Sequence, residues 1–295
     1  INTKGDLAGN QSAIYLQNNS KLTLYQVRLS NHKSHQCGSA IWAKDSAVTF
    51  VQNWFLDNSA QFGGAIYLEH CDLLIRSNHF DANRSLDSID GRGGAMLIIN
   101  NGQGVSQGAL EDNQFSNNVA AKDGGALALE QSSLRIFHNL FIGNQARNGG
   151  GIYIGTGTTD LPRMAENDLY RNSVSASGDG EAIYNHAANA SLSASNNYWG
   201  SSPQFTDLVS NVTYQPTASD SFFDLPSPTV SQISPARGVN TGGTSITITG
   251  DNFQSGIAVT LAGQAASQVV VNSKKQVTVE SPAGSSGSVV DLVVT

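Results

Sequence analysis

The sequence predicts an all-β chain: a stacked parallel β-helix of about seven coils with a small β-sandwich after it. Three observations predict this. A small-residue motif returns every 25 to 31 residues, a second motif keeps step with it, and the pattern changes after Pro228. Composition agrees. Only 13% of the 295 residues are charged and 30 are glycine. That mix suits many tight turns, because Gly accepts positive φ, and it argues against a helical bundle or coiled coil.

The first motif is clearest at Gly63-Gly64-Ala65-Ile66, Gly93-Gly94-Ala95-Met96, Gly124-Gly125-Ala126-Leu127 and Gly149-Gly150-Gly151-Ile152. Weaker copies surround Ala13, Ala40 and Ala182. Taking the third residue as an anchor, the next residue is Ile14, Ile41, Ile66, Met96, Leu127, Ile152 and Ile183. Three residues after the anchor stand Leu16, Ala43, Leu68, Ile98, Leu129, Ile154 and Asn185. Strand alternation puts both columns on one face. A single coil cannot bury that face, but stacked coils can.

The second motif is Asn-x-Phe-x-x-Asn. It occurs at Asn53/Phe55/Asn58, Asn78/Phe80/Asn83, Asn113/Phe115/Asn118 and Asn139/Phe141/Asn144, with a near copy at Asn167/Leu169/Asn172. In four coils the anchor-to-Asn spacing is 13, counting Gln26 and Arg28 as the Asn and Phe places of a degenerate first coil. The expected roles are structural: Phe stacked inside, and Asn hydrogen-bonded coil to coil while tolerating left-handed backbone.

These paired motifs resemble the repeat of the chlamydial polymorphic outer-membrane proteins, and more widely that of bacterial surface proteins of the pectin-lyase-like type. The resemblance covers residues 1–203. It implies a right-handed parallel β-helix in an extracellular setting and carries no particular activity. Asn196-Asn197-Tyr198-Trp199-Gly200 looks like the closing segment of such helices, and residues 204–227 are expected to form a C-terminal cap and linker. From Pro228 onward, Gly242-Gly243-Thr244, Ile246-Thr-Ile-Thr-Gly250 and Asn252-Phe253 resemble the IPT/TIG family. That implies an immunoglobulin-like β-sandwich over 228–295, a spacer or adhesion module without catalytic residues. The family's usual pattern runs on by one more strand, so the domain is expected to lack its last one. The chain opens at Ile1, which reads as a mature or excised piece of something longer, with neighbouring domains as partners.

Charge excludes some classes. The formal net charge is −7 and the longest basic run is Lys274-Lys275, so nucleic acid is not an expected partner. No apolar run is long enough to span a bilayer, so this segment is not expected to insert in a membrane.

Three features bear on chemistry. Two residues after the anchors lies an outward column, Tyr15, Trp42, Tyr67, Leu97, Ala128, Tyr153 and Tyr184. Its five aromatic rings could stack on the sugar rings of a polysaccharide or cell-surface glycan, or pack on each other. Extra residues at 100–107 and 155–160 could flank a groove over Gln131-Ser132-Ser133. The acidic turn residues Asp87, Asp90, Asp123 and Asp179 could serve as Ca²⁺ ligands or an acid/base pair. Asp90 and Asp123 lie five and three residues before successive anchors and Asp179 is two coils beyond Asp123, so these are expected to be solvated turn residues. No cofactor or metal is expected. His32 and His35 are read as solvent-exposed, and Cys37 and Cys71 as free thiols, with Cys71 stacked over Ser46.

The resulting expectation is a non-catalytic secreted or cell-surface protein: an adhesin, stalk or matrix component with a glycan-gripping face. The alternatives are a polysaccharide lyase or hydrolase, since this fold hosts them, and a filament subunit joined through exposed coil edges.

Overall fold

The computed structural model describes residues 2–6, 12–99, 108–156, 158, 161–175, 178–187, 191–200, 208–209, 211–223, 228–253, 257–273 and 275–294. The chain divides into two compact units, Ile1–Phe223 and Asp224–Thr295. Among the described residues all regular structure is β.

The first unit is a parallel β-solenoid with three sheets running its length. The strands that follow the anchors lie side by side in one sheet: Ile14–Leu16, Ile41–Lys44, Ile66–Glu69, Met96–Ile99, Leu127–Glu130, Ile152–Ile154 and Ile183–Asn185. Leu208–Val209, within the segment expected to cap the helix, continues this sheet by pairing with Ile183 and Tyr184. A second sheet holds Lys21–Tyr25, Ala47–Val51, Asp72–Arg76, Gly108–Glu111, Arg135–Phe137 and Arg163–Ala165. The third carries the Phe positions and bends at the second Asn of each motif.

Register follows the sequence columns. Ile41 pairs with Ile66, Ile66 with Met96, Met96 with Leu127 and Leu127 with Ile152. All five are fully buried, because parallel in-register stacking turns a column of like residues into a continuous apolar strip. Inside the third sheet the rings of Phe55, Phe80, Phe115 and Phe141 form a stack with centroids 4.7–4.8 Å apart. That spacing is the distance between adjacent strands.

Two Asn ladders run beside the Phe stack, every member buried. In the first, Nδ2 of Asn53, Asn78, Asn113, Asn139 and Asn167 donates to Oδ1 of the next Asn, ending on Asn197, at 2.9–3.0 Å. The second runs Asn58, Asn83, Asn118, Asn144, Asn172 in the same way. From Asn78 and Asn83 onward each Oδ1 also accepts the backbone N–H of the preceding Asn. The amide therefore satisfies a buried backbone donor where the chain turns a corner and strand pairing lapses.

Two details differ from the sequence reading. The left-handed backbone belongs to the residue before the Asn, not to the Asn. Gln26, Gln52, Ser77, Asp112, His138, Glu166 and Asn196 have φ of 53–58°. That residue makes the corner, and the Asn after it closes the corner's hydrogen bonds. The first coil is also one residue longer than a spacing of 13 assumes. Arg28 pairs with Trp54 and Leu29 with Phe55, so Val27 and Leu29 hold the Asn and Phe places, while Gln26 bonds Gln52 in the corner column. Accordingly His32 falls in the second Asn place. Its N–H donates to Asn58 Oδ1, and the residue is buried rather than exposed. His35 is exposed.

The second unit has two antiparallel sheets. One is ordered Thr229–Ser234, Ser245–Asp251, Gln276–Glu280, Ser267–Ser273. The other is ordered Gln264–Ala265, Val259–Leu261, Leu292–Val294. Ile246, Ile248, Phe253, Val259, Val277 and Val279 form its core.

Candidate functional site

Within each anchor strand the residues two and four after the anchor point outward, because those one and three after it point in. The outer face of this sheet carries both the aromatic column and most of the buried charge. Tyr15, Trp42 and Tyr67 stack with their planes within 5° and centroids 4.2 and 6.1 Å apart. Tyr153 and Tyr184 stack at 5.9 Å. A sugar held between two rings needs them roughly 7 Å apart, twice a carbon–carbon contact. The rings therefore pack on each other and leave no room for a sugar between neighbours. Tyr15 is well exposed, Trp42, Tyr67 and Tyr184 are partly so, and Tyr153 is 4% exposed.

Tyr153 is covered because the outer face has a small apolar core of its own, made with Leu97 and Ala128. Ala128 leaves a gap in the ring column, and the Arg92 guanidinium reaches across it. Nη1 lies 2.5 Å from Glu130 Oε1, Nη2 donates to Asp90 Oδ1 at 2.8 Å, and Nε is 3.6 Å from Asp123 Oδ2. Its carbon sits 6.0 Å from the Tyr153 ring centre, in the range of a cation–π contact. Lys122 Nζ reaches Asp90 at 2.7 Å and Asp123 at 3.9 Å. Asn148 Nδ2 donates to Asp123 Oδ1 at 2.8 Å, and the Tyr153 hydroxyl meets His186 Nδ1 at 3.1 Å.

Two of the acidic candidates are thus brought together. Asp90 and Asp123 share Arg92 and Lys122, and Asp123 is 2% exposed rather than solvated. Unequal offsets did not keep them apart, because the long side chains of Arg92 and Lys122 span the difference. Asp87 instead shapes the turn before them, its Oδ1 accepting the N–H of Ile89 and of Asp90. Asp179 is exposed, and its carbonyl accepts the Gly149 N–H.

Arg92, Lys122, Glu130 and Asn148 were not singled out from the sequence, yet a signal exists. Three residues before the anchors, Arg92, Asp123 and Asn148 bridge in sequence order, so this column sets a cation, an anion and an amide in adjacent coils. Glu130 lies four after its anchor, and in the next coil the equivalent residue is Gly155. A Cβ on Gly155 would stand 1.8 Å from Glu130 Oε2, so glycine there makes room for the carboxylate.

Electrostatics follow from burial and pairing. Burial pushes the Glu130 carboxyl above its ordinary value, and the attraction of Arg92 offsets only part of this. For Asp90 burial also pushes upward, but Lys122 and Arg92 together outweigh it and hold the carboxyl low. A smaller network repeats the theme beside Trp42. Lys44 Nζ lies 2.6 Å from Glu69 Oε1 and the Tyr67 hydroxyl donates to Oε2. Chemically the main cluster is three acidic groups facing two cations, paired with one another.

The groove expected over Gln131-Ser132-Ser133 is partly assignable. Its wall at 100–107 lies outside the described residues. On the other side Thr158 Oγ1 accepts the Gln131 N–H, and Ser132 is fully buried. Cys37 is half-buried, Cys71 is buried, and both are free. Among the described residues no three His, Cys, Asp or Glu side chains stand as a metal site, and no helix is long and apolar enough to cross a membrane.

A family model described as a right handed beta helix region matches residues 4–174. The chain belongs to the right-handed β-helix family. An IPT/TIG domain model matches residues 228–295, in keeping with the two antiparallel sheets there. No curated protein matches the chain. Both matches are to broad domain classes, and neither sets the chlamydial surface proteins apart from other members of the β-helix family.

Proposed function

We propose that this β-helix protein is a non-catalytic extracellular surface module, an adhesive or spacing rod that meets glycans along the edge of its aromatic column. The observation that carries this is the fate of the carboxylates. Asp90, Asp123 and Glu130 are each ion-paired with Arg92, and Asp90 and Asp123 also with Lys122, so the acidic groups serve the outer face of the scaffold. The exposed edges of Tyr15, Trp42 and Tyr67, next to Lys44 and Glu69, offer hydroxyl, indole N–H and charged groups to a polar polymer. The IPT/TIG neighbour supports a spacer or adhesion setting.

The test is binding of the full chain to a glycan array and to a panel of acidic and neutral polysaccharides, with Tyr15→Ala/Trp42→Ala as control. Retention that drops about tenfold in the double variant, as expected for losing one or two aromatic contacts, supports the proposal. Absence of any glycan or surface attachment removes it. A second reading, polysaccharide cleavage, draws on Glu130, whose raised carboxyl beside two other acids is how general acids are made. Release of unsaturated or reducing ends, abolished in Glu130→Gln, would put it first.

A further inference from the structure

In a solenoid each coil touches only its neighbours, so end coils fray unless something ties them. The segment Ala218–Phe223 runs across coils rather than around one. Ala218 N–H donates to the Asn197 carbonyl at 3.0 Å. Next, Ser221 Oγ and the Phe222 N–H both donate to the carboxylate of Asp168, the latter at 2.9 Å. The Phe223 N–H donates to Ser221 Oγ at 3.0 Å. Finally the His138 ring stacks on Phe223 at 5.0 Å and meets Phe222 edge-on at 6.1 Å. His138 is held from behind by Asp112 at 2.8 Å. Asn139, Asn167 and Asn197 are successive rungs of one ladder, so the contacts at Asn197, Asp168 and His138 fall on three successive coils.

Asp168 gives the arrangement its meaning. It lies in register with Leu140 and Gln114, whose column points outward, as the inward stacking of the alternate Phe residues requires. Leu140 and Gln114 are half-buried, whereas Asp168 is completely buried. A carboxylate on an outer face reaches that state only when something covers and bonds it, and here Ser221 and Phe222 do so.

We propose that residues 218–223 are a longitudinal staple, docked through Asp168 and His138, that locks the last three coils together and sets the point at which the connection to the IPT/TIG unit begins. Without the Asp168 clamp the segment peels away, the connection lengthens, and the last coils open more often than the first.

The test uses the full chain, with limited chymotrypsin digestion and hydrogen exchange read by mass spectrometry. In the wild type, cleavage after Phe222 and Phe223 is slow. Asp168→Asn raises it about tenfold or more, since a hydrogen bond to a charged group is worth a factor of that order. Exchange should quicken over 163–200 and stay unchanged over 41–99. Phe223→Ser, made on the staple and not on the sheet, should quicken exchange over 163–200 in the same way. The proposal is overturned if Asp168→Asn changes neither cleavage nor exchange, if wild-type Phe222 and Phe223 are cut as fast as in the variant, or if exchange rises uniformly along the solenoid.

Discussion

Replacing Asn118 by Ala tests what holds the coils in register. The side chain makes four hydrogen bonds. Its Oδ1 accepts from the Asn83 N–H at 3.0 Å and from Asn83 Nδ2 at 2.9 Å. Its Nδ2 donates to the Phe80 carbonyl and to Asn144 Oδ1, each at 2.9 Å. At about 1 kcal/mol net per bond the loss is about 4 kcal/mol, and the Asn83 N–H, stranded without water, adds about 1–2 kcal/mol. The total is a large part of the roughly 5–15 kcal/mol typical of a folded domain. Urea unfolding of the full chain, followed by Trp fluorescence and far-UV circular dichroism, measures it. Asn118→Asp separates hydrogen bonding from packing. It keeps an acceptor but buries a charge, so its carboxyl pKa rises in the folded state. Stability is then best below the ordinary carboxylate pKa and falls as pH rises through the raised folded value. A loss under about 1 kcal/mol for Asn118→Ala, or a pH-independent Asn118→Asp, would refute the view that amide ladders carry the register.

Other expectations follow from single positions. Gly94→Ala should cost at least about 2 kcal/mol by thermal melting, in the range of overpacking, because the added Cβ would stand 2.0 Å from the Gly125 carbonyl of the next coil. Burial pushes the Cys37 thiol up to about 11, so alkylation should be slow at pH 8 and rise towards pH 11, where an ordinary thiol would already be saturated. Arg92→Met should lower stability by about 1–3 kcal/mol through the acids it strands, with part regained in Arg92→Met/Glu130→Gln by double-mutant cycle. Across pH 3–7, Asp90, with its lowered pKa, should contribute stability that is present at neutral pH and lost as pH falls through the folded value. Glu130, with its raised pKa, should contribute stability that is lost as pH rises through its own. Melting temperatures of Asp90→Asn and Glu130→Gln against pH should each lack one of these two slopes.

The stacking was legible from residues such as Ile41, Ile66, Met96 and Leu127, because parallel in-register pairing copies a sequence column directly into a spatial one. Asn53 to Asn197 were legible for the same reason. Their mechanism was not, since φ at Gln52 or Ser77 leaves no mark in residue type. The first coil slipped by one because its corner residue, Gln26, resembles an Asn more than Val27 does.

The candidate site divides along the same line. That Tyr15, Trp42, Tyr67, Tyr153 and Tyr184 form one outward column follows from period-two alternation alone. Which of them meets solvent depends on side chains from other columns, above all the reach of Arg92 over Ala128. The gathering of Asp123 and Glu130 with Asp90, and the burial of Asp168 beneath Ser221, likewise join residues 33 to 53 positions apart. One-dimensional periodicity determines what repeats. Where the repeat is broken, by an insertion, a missing ring or a returning segment, long flexible side chains decide the contacts, and only the folded arrangement shows which partner each one finds.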